Sequence, residues 1–292
     1  TMAFGKNIRT YFEGRWHEGD IPVMRAADHG IWQGSSVFDG ARLFDGVTPD
    51  LDLHLARVNR SAEALMITPT VSADEMLDIA REGLRPYGRG QAVYIRPMYW
   101  AVDGSELGVA PAENSTAFAL CLEEVPMPPA EAQTTLTRTR FRRPVLEDAV
   151  CNAKAGCLYP NNARMLVEAK HKGFGNALVA DAMGNVAETA TANVFMAKDG
   201  VVFTPIANGT FLSGITRARH IANLRADGIE VRETVLTFAD FEAADEVFLS
   251  GNFAKVTSVA RLDDTTYRSR RMTDHVRALY MDWATSAAAR AA

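Results

Sequence analysis

Lysine is scarce in this 292-residue chain: of 31 basic residues only six are lysines, namely Lys6, Lys154, Lys170, Lys172, Lys198 and Lys255. Cysteine is scarcer still. Cys121, Cys151 and Cys157 form no CxxC pair and no even disulfide set, which argues against a metal centre and fits a reducing compartment. No apolar run approaches the roughly 18 residues a membrane span requires. The opening "TMAFGKNIRTYFEG" lacks the basic-then-apolar plan of a secretory signal, so a cytoplasmic protein is expected. Positive charge is not in excess either. A net charge of -5 with no basic stripe argues against nucleic acid, whose phosphates need clustered cations, and leaves a small molecule as the expected partner.

What is present is an ordinary globular composition, 47% hydrophobic and 23% charged, at a length that suits two moderate domains. The stretch "PMPPAEAQ", residues 126–133, has three prolines in four residues and is the expected linker. It divides a smaller N-terminal α/β domain, residues 1–125, from a larger C-terminal domain, residues 134–292. In the first part, "TYFEGRWHEGD" reads as strand, turn and strand. The segment "LDLHLARVNRSAEALM" places Leu51, Leu55, Val58, Ala62 and Leu65 on one helical face. A second helix is expected over "SADEMLDIAREGLRPYG", with Ser72 or Asp74 near its start and Gly88 near its end, then strands in "QAVYIRPMYW" and "STAFALCLEEV". In the second part, "LYPNNARMLVEAKHKG" is helical and "VAETATANVFMAKDGVVFTP" forms strands with a hairpin turn at Asp199-Gly200. "ITRARHIANLRADG" is an amphipathic helix, followed by strands around "IEVRE", "EVFLS" and "VTSVARL" and a C-terminal helix that runs into an alanine-rich tail.

Lys154 is the lysine with chemistry in view. It sits in "CNAKAGC", flanked by alanines and cysteines, where desolvation lowers the pKa of an amine and suits it to Schiff-base chemistry. A lysine snorkelling from a loop is the ordinary alternative. Lys170 and Lys172 are accounted for by a helix C-terminus, Lys198 by the hairpin, and Lys6 by a polar N-terminal segment. "FLSGITRARH" starts a helix at Ile215 and Thr216, where free N–H groups and the helix dipole make an anion site, although Ser213-Gly214 can equally be ordinary capping. Glu188 in "AETATANVF" is a candidate buried carboxylate, for which a protonated ring nitrogen would be a partner; a solvent-facing glutamate is the alternative. Arg96 in "YIRP" is either an anchor for a substrate carboxylate or an exposed strand cation.

Taken in order, "SVFDGAR", "HLARVNRSA", "YIRP", Lys154, Tyr159, "AETATANVF", "SGITR" and "ADEVFLSG" resemble the fold-type IV pyridoxal 5'-phosphate enzymes. These are the class IV aminotransferases, and the resemblance is greatest to the branched-chain amino acid aminotransferases. It spans nearly the whole chain and implies an α/β (α+β) fold, with a smaller N-terminal domain and a larger pseudo-barrel C-terminal domain. It implies that Lys154 is the lysine bonded covalently to the cofactor and that Tyr159 reaches the ring oxygen. Arg57, Ile215 and Thr216, with Asn252, would hold the phosphate, and Glu188 would pair with the pyridine nitrogen. Phe38, Gly40, Arg42, Tyr94, Arg96 and Phe253 would line the substrate side. The implied reaction is ping-pong transamination of leucine, isoleucine or valine with 2-oxoglutarate by a homodimer or higher homo-oligomer.

Four positions depart from the branched-chain pattern. Asn252-Phe253 in "SGNFAKV" replaces a small Thr-Ala pair, Ser213 replaces the proline before "GITR", and Trp32 stands where tyrosine is common. The same resemblance therefore admits an (R)-selective amine or D-amino acid transaminase, an aminodeoxychorismate lyase, or a non-catalytic scaffold on the same fold. Cys151 and Cys157 are expected to be small core residues.

Overall fold

A computed structural model describes residues 5–286; residues 1–4 and 287–292, the latter most of the alanine-rich tail, lie outside the described residues. The chain forms two compact units. One takes in the described residues up to Met127 together with Ala153–Cys157, and the other Pro128–Asn152 and Leu158–Trp283.

The first unit carries strands β1 (Lys6–Phe12), β2 (Arg15–Glu18), β3 (Ser36–Phe38), β4 (Ala41–Leu43), β5 (Val93–Ala101) and β6 (Thr116–Glu124), with helices α1 (His29–Trp32), α2 (Leu51–Ala64) and α3 (Ala73–Leu84). Its sheet runs β2-β1-β6-β5-β3, with β4 also paired to β5. Pro97 lies in the middle of β5, a strand with neighbours on both sides. A proline there removes one ladder donor. The chain accommodates it by splitting the neighbouring edge: β4 pairs with Val93–Ile95, β3 with Met98–Trp100, and Asp39-Gly40 fill the gap opposite Pro97. Helix α2 buries Leu51, Leu55, Val58 and Ala62 as its apolar spacing requires. Helix α3 starts at Ser72, whose hydroxyl accepts from the Glu75 N–H. It ends at Leu84: Arg85 still has helical backbone angles, but Pro86 has no N–H to continue the ladder, and Gly88 lies beyond the end.

The second unit is built on β7 (Gln133–Arg142), α4 (Tyr159–His171), β8 (Asn176–Ala180), β9 (Val186–Thr189), β10 (Asn193–Lys198), β11 (Val201–Pro205), α5 (Ile215–Ala226), β12 (Val231–Thr234), α6 (Phe238–Glu242), β13 (Glu246–Gly251), β14 (Lys255–Leu262), β15 (Thr265–Thr266) and α7 (Arg271–Thr285). Its sheet order is β12-β11-β10-β13-β14-β7-β8-β9, with β15 on β14. Strand β9, at one end of that order, returns against β10 and β11, so the sheet curls toward a barrel. The β10–β11 hairpin turns at Asp199 and Gly200, both with positive φ, the geometry a two-residue type I′ loop demands. Leu136, Leu178, Val194, Val247 and Val259 fill one core cluster, each side chain contributing about 1.5–3 kcal/mol through burial.

Candidate active site

In the first unit the Lys154 segment is fastened to β3 and α2. Val37 bridges Ala155, the Phe38 N–H donates to the Lys154 carbonyl at 3.1 Å, and the Ser61 hydroxyl accepts from the Lys154 N–H at 3.1 Å. Gly156 has no room for a side chain, since a Cβ would meet Ser36 Oγ at 2.6 Å. The Lys154 side chain is half-buried, with Nζ 5.0 Å from the centre of the Phe38 ring. Cys157 corrects the sequence reading. It is exposed rather than in the core, because it lies in the single 3₁₀ turn Gly156–Leu158, none of whose residues is buried; Cys151 is buried as expected.

Arg57 on α2 grips Asp39 with two bonds, Nε to Oδ2 at 2.6 Å and Nη2 to Oδ1 at 2.9 Å. His54, one turn earlier, meets Asp39 Oδ1 at 2.7 Å, and the Gly40 N–H donates to the same oxygen. Burial alone would raise the Asp39 carboxyl, but the Arg57 and His54 charges and their hydrogen bonds hold it well below the usual carboxylate range. Asp39 therefore fixes the direction of the Arg57 guanidinium.

The other predicted residues of this unit follow the alternation of β5, along which Tyr94, Arg96 and Met98 share one half-open face. Arg42 is Tyr94's cross-strand partner, and Phe38 is Met98's. Gly40 is required, since a Cβ there would collide with the Tyr94 hydroxyl. Arg42 is fully buried, and its Nη2 donates to the Val125 carbonyl at 2.5 Å. Burial lowers its pKa to about 10, although the Tyr94 phenol pulls the other way. Arg96 is ion-paired with the buried Glu123 and stands over the Tyr94 ring, 5.8 Å from its centre. Sequence reasoning missed Glu123, the cross-strand neighbour of Tyr94.

In the second unit Glu188 lies on β9 and is buried. Its Oε1 is 2.8 Å from Arg143 Nη2, and Oε2 accepts from Asn193 Nδ2 at 3.2 Å. Arg143 is itself tied to Asn162 Oδ1 and to the Thr189 carbonyl. Neither Arg143 nor Asn193 was foreseen, although "FRRP" and "TANVF" contain them. Tyr159 opens α4 and is partly exposed. Helix α5 begins at Ile215 with Gly214 as its cap and no capping side chain, and Thr216 is buried in its first turn. A side chain at Gly214 would collide with Asn193 Oδ1, which keeps this helix start open. Asn252 and the exposed Phe253 sit in the three-residue loop joining β13 to β14, since Gly251 pairs with Lys255. Lys255 is the second surprise. Buried to 1% exposure, it is a lysine in a closed setting that the sequence reading passed over. Among the described residues no cluster of His, Cys, Asp and Glu could hold a metal ion.

The profile of the amino-transferase class IV family matches residues 36–262. A putative branched-chain-amino-acid aminotransferase of Methanocaldococcus jannaschii is 31% identical over 268 residues, covering 91% of each chain. The crystal structure of an aminotransferase from Brucella abortus bound to the co-factor PLP is 55% identical, superposes with a TM-score of 0.94, and covers 96% of this chain and all of that one. The branched-chain amino acid aminotransferase of Escherichia coli superposes with a TM-score of 0.87 at 28% identity, covering 96% of this chain and 95% of that one. With the family match extending from β3 to β14, the chain belongs to the class IV aminotransferases, enzymes whose cofactor is pyridoxal 5'-phosphate.

Proposed function

We propose that this aminotransferase acts on the branched-chain L-amino acids leucine, isoleucine and valine, with 2-oxoglutarate as acceptor and ping-pong kinetics. The observation that carries the cofactor assignment is the buried Glu188 carboxylate, ion-paired with Arg143 and steadied by Asn193. A carboxylate so held suits a protonated ring nitrogen. The remaining donors also fit a phosphorylated pyridine aldehyde: the half-buried Lys154 amine, the open start of α5, Arg57 oriented by Asp39, and the buried Asn252 Nδ2, which meets no acceptor among the described residues.

When bound, pyridoxal phosphate supplies an electron sink for the substrate Cα–H bond. Lys154 would be the covalent attachment point, and its free amine would take the substrate Cα proton and return it. Glu188 would keep the ring nitrogen protonated, Tyr159 would donate to the ring oxygen, and Arg57, Ile215, Thr216 and Asn252 would hold the phosphate. Phe38, Gly40, Arg42, Tyr94 and Arg96, with Phe253, receive the substrate. An apolar side chain suits the Phe38 and Tyr94 rings, and Arg96 already shares its charge with Glu123. The likeness to branched-chain enzymes supports the same choice.

A second reading, an (R)-selective amine or D-amino acid transaminase, draws on Phe253, a bulky, half-exposed side chain in the loop after β13. A donor panel of L-leucine, L-valine, D-alanine and (R)-1-phenylethylamine, with 2-oxoglutarate or pyruvate, decides between them. Activity confined to the last two donors would reject the first reading. We also infer a cytoplasmic location and a homodimer or higher homo-oligomer, the association being supported by exposed Ile31, Trp32, Leu107 and Val109. An active monomer in gel filtration would contradict that.

A further inference from the structure

We propose that Lys255 is a positioning residue that turns the Asn252 amide so that its N–H donors face an anionic oxygen of the bound cofactor or substrate. The inference rests on the assignment of Asn252 to the site.

The backbone is the first observation. The loop from β13 to β14 has three residues, and its closing position, Lys255, adopts φ 65°, a left-handed conformation that glycine takes at far less cost. A lysine persists there although its aliphatic stem and ammonium are both shut away from water. Its neighbours hold it in place. The His220 ring donates from Nε2 to the Lys255 carbonyl at 3.1 Å, Arg277 donates to the Val256 carbonyl, and the Lys255 ammonium stands 5.6 Å from the centre of the Tyr280 ring.

The second observation is the direction of one hydrogen bond. Lys255 Nζ lies 2.7 Å from Asn252 Oδ1. Nζ is the donor in that bond, so it faces the oxygen of the amide and not the nitrogen. The amide is thereby fixed in one of its two orientations, with Nδ2 turned away. Nδ2 is itself buried and meets no acceptor among the described residues. A buried donor without an acceptor is costly in a finished site, and an incoming phosphate or carboxylate oxygen would satisfy it. Without Lys255 the amide could rotate and offer its oxygen, which repels an anion.

The test is a double-mutant cycle on Lys255→Met and Asn252→Ala. Cofactor-free protein is titrated with pyridoxal 5'-phosphate and with phosphate-free pyridoxal, following the absorbance of the bound form, and KM is measured for L-leucine and for its decarboxylated amine, 3-methylbutylamine. If the acceptor is the cofactor phosphate, each single variant weakens pyridoxal phosphate binding about tenfold and leaves pyridoxal unchanged. If it is the substrate carboxylate, cofactor affinity holds while the L-leucine KM rises about tenfold and the amine KM does not. In either case the double variant is no worse than Asn252→Ala. Should Lys255→Met fail to fold, Lys255→Gln serves in its place. Glutamine accepts as well as donates, so a smaller loss of about threefold is expected, again absent in the Asn252→Ala background. Losses that add in the double variant, or a silent Lys255 substitution beside an affected Asn252→Ala, would overturn the positioning role alone. An Asn252→Ala variant unchanged in both arms would overturn that role and the assignment of Asn252 together.

Discussion

Arg143 Nη2 lies 2.8 Å from Glu188 Oε1, and each of the two side chains is 10% exposed. The pair lies within the second unit, with Arg143 just after β7 and Glu188 on β9, and Asn193 bonds the other carboxylate oxygen. The carboxylate assigned to the ring nitrogen is thus not an isolated buried charge.

Removing the arginine takes away the cation that stands 2.8 Å from the buried Glu188 carboxylate. Arg143→Met is expected to destabilise the protein by about 3 kcal/mol, in the range typical of a broken buried pair. Adding Glu188→Gln should recover part of that loss, because the carboxylate that Arg143 balanced is then neutral. Urea denaturation of the two variants checks both statements, and equal stability of Arg143→Met and wild type would refute the pairing.

Gly40 faces the Tyr94 hydroxyl too closely for any side chain. Gly40→Ala should therefore cost about 1–3 kcal/mol through overpacking. Tyr94→Phe, which removes the nearest colliding atom but leaves the ring carbon behind it, should relieve part of the cost in the double variant. Thermal melts of the three proteins measure the relief; if Gly40→Ala melted with the wild type, the close packing would be wrong.

His220 sets a pH window. Burial lowers its pKa to about 4, with the Lys255 and Arg277 charges adding to the effect against the hydrogen bond to the Lys255 carbonyl. Its folded-state pKa is therefore below that of the unfolded chain, near 6.5, so the unfolded chain binds more protons between these values. Stability is full above about pH 6.5 and falls by about 3 kcal/mol as pH drops toward 4. The low carboxyls, Asp39 and Glu246 among them, act below about pH 4.5. His220→Phe should flatten the dependence of Tm on pH between 6.5 and 4.5. A slope unchanged in that variant would place the dependence elsewhere.

Much of this was legible in the sequence where one physical period dominates. The apolar face of α2, the alternation of β5 and the Asp199-Gly200 hairpin each follow from local spacing. Strand β7 was not legible, because "TLTRTRFR" alternates threonine with arginine and offers only Leu136 on one face and two buried threonines on the other. The residues that act on others were the hardest to see. Asp39 under Arg57, Arg143 beside Glu188 and Glu123 beside Arg96 owe their roles to partners 18, 45 and 27 positions away. Lys255 was hidden differently: nothing in "SGNFAKV" reveals that a tight loop folds its lysine inward.

That second enclosed lysine gives the central claim its sharpest test. Cofactor-loaded protein is reduced with borohydride, which fixes the lysine–cofactor bond as a secondary amine, then digested and mapped by mass spectrometry. The cofactor mass should fall on the peptide containing Lys154 and be lost in Lys154→Ala together with transamination. Modification at Lys255 instead, or full activity in Lys154→Ala, would contradict the account.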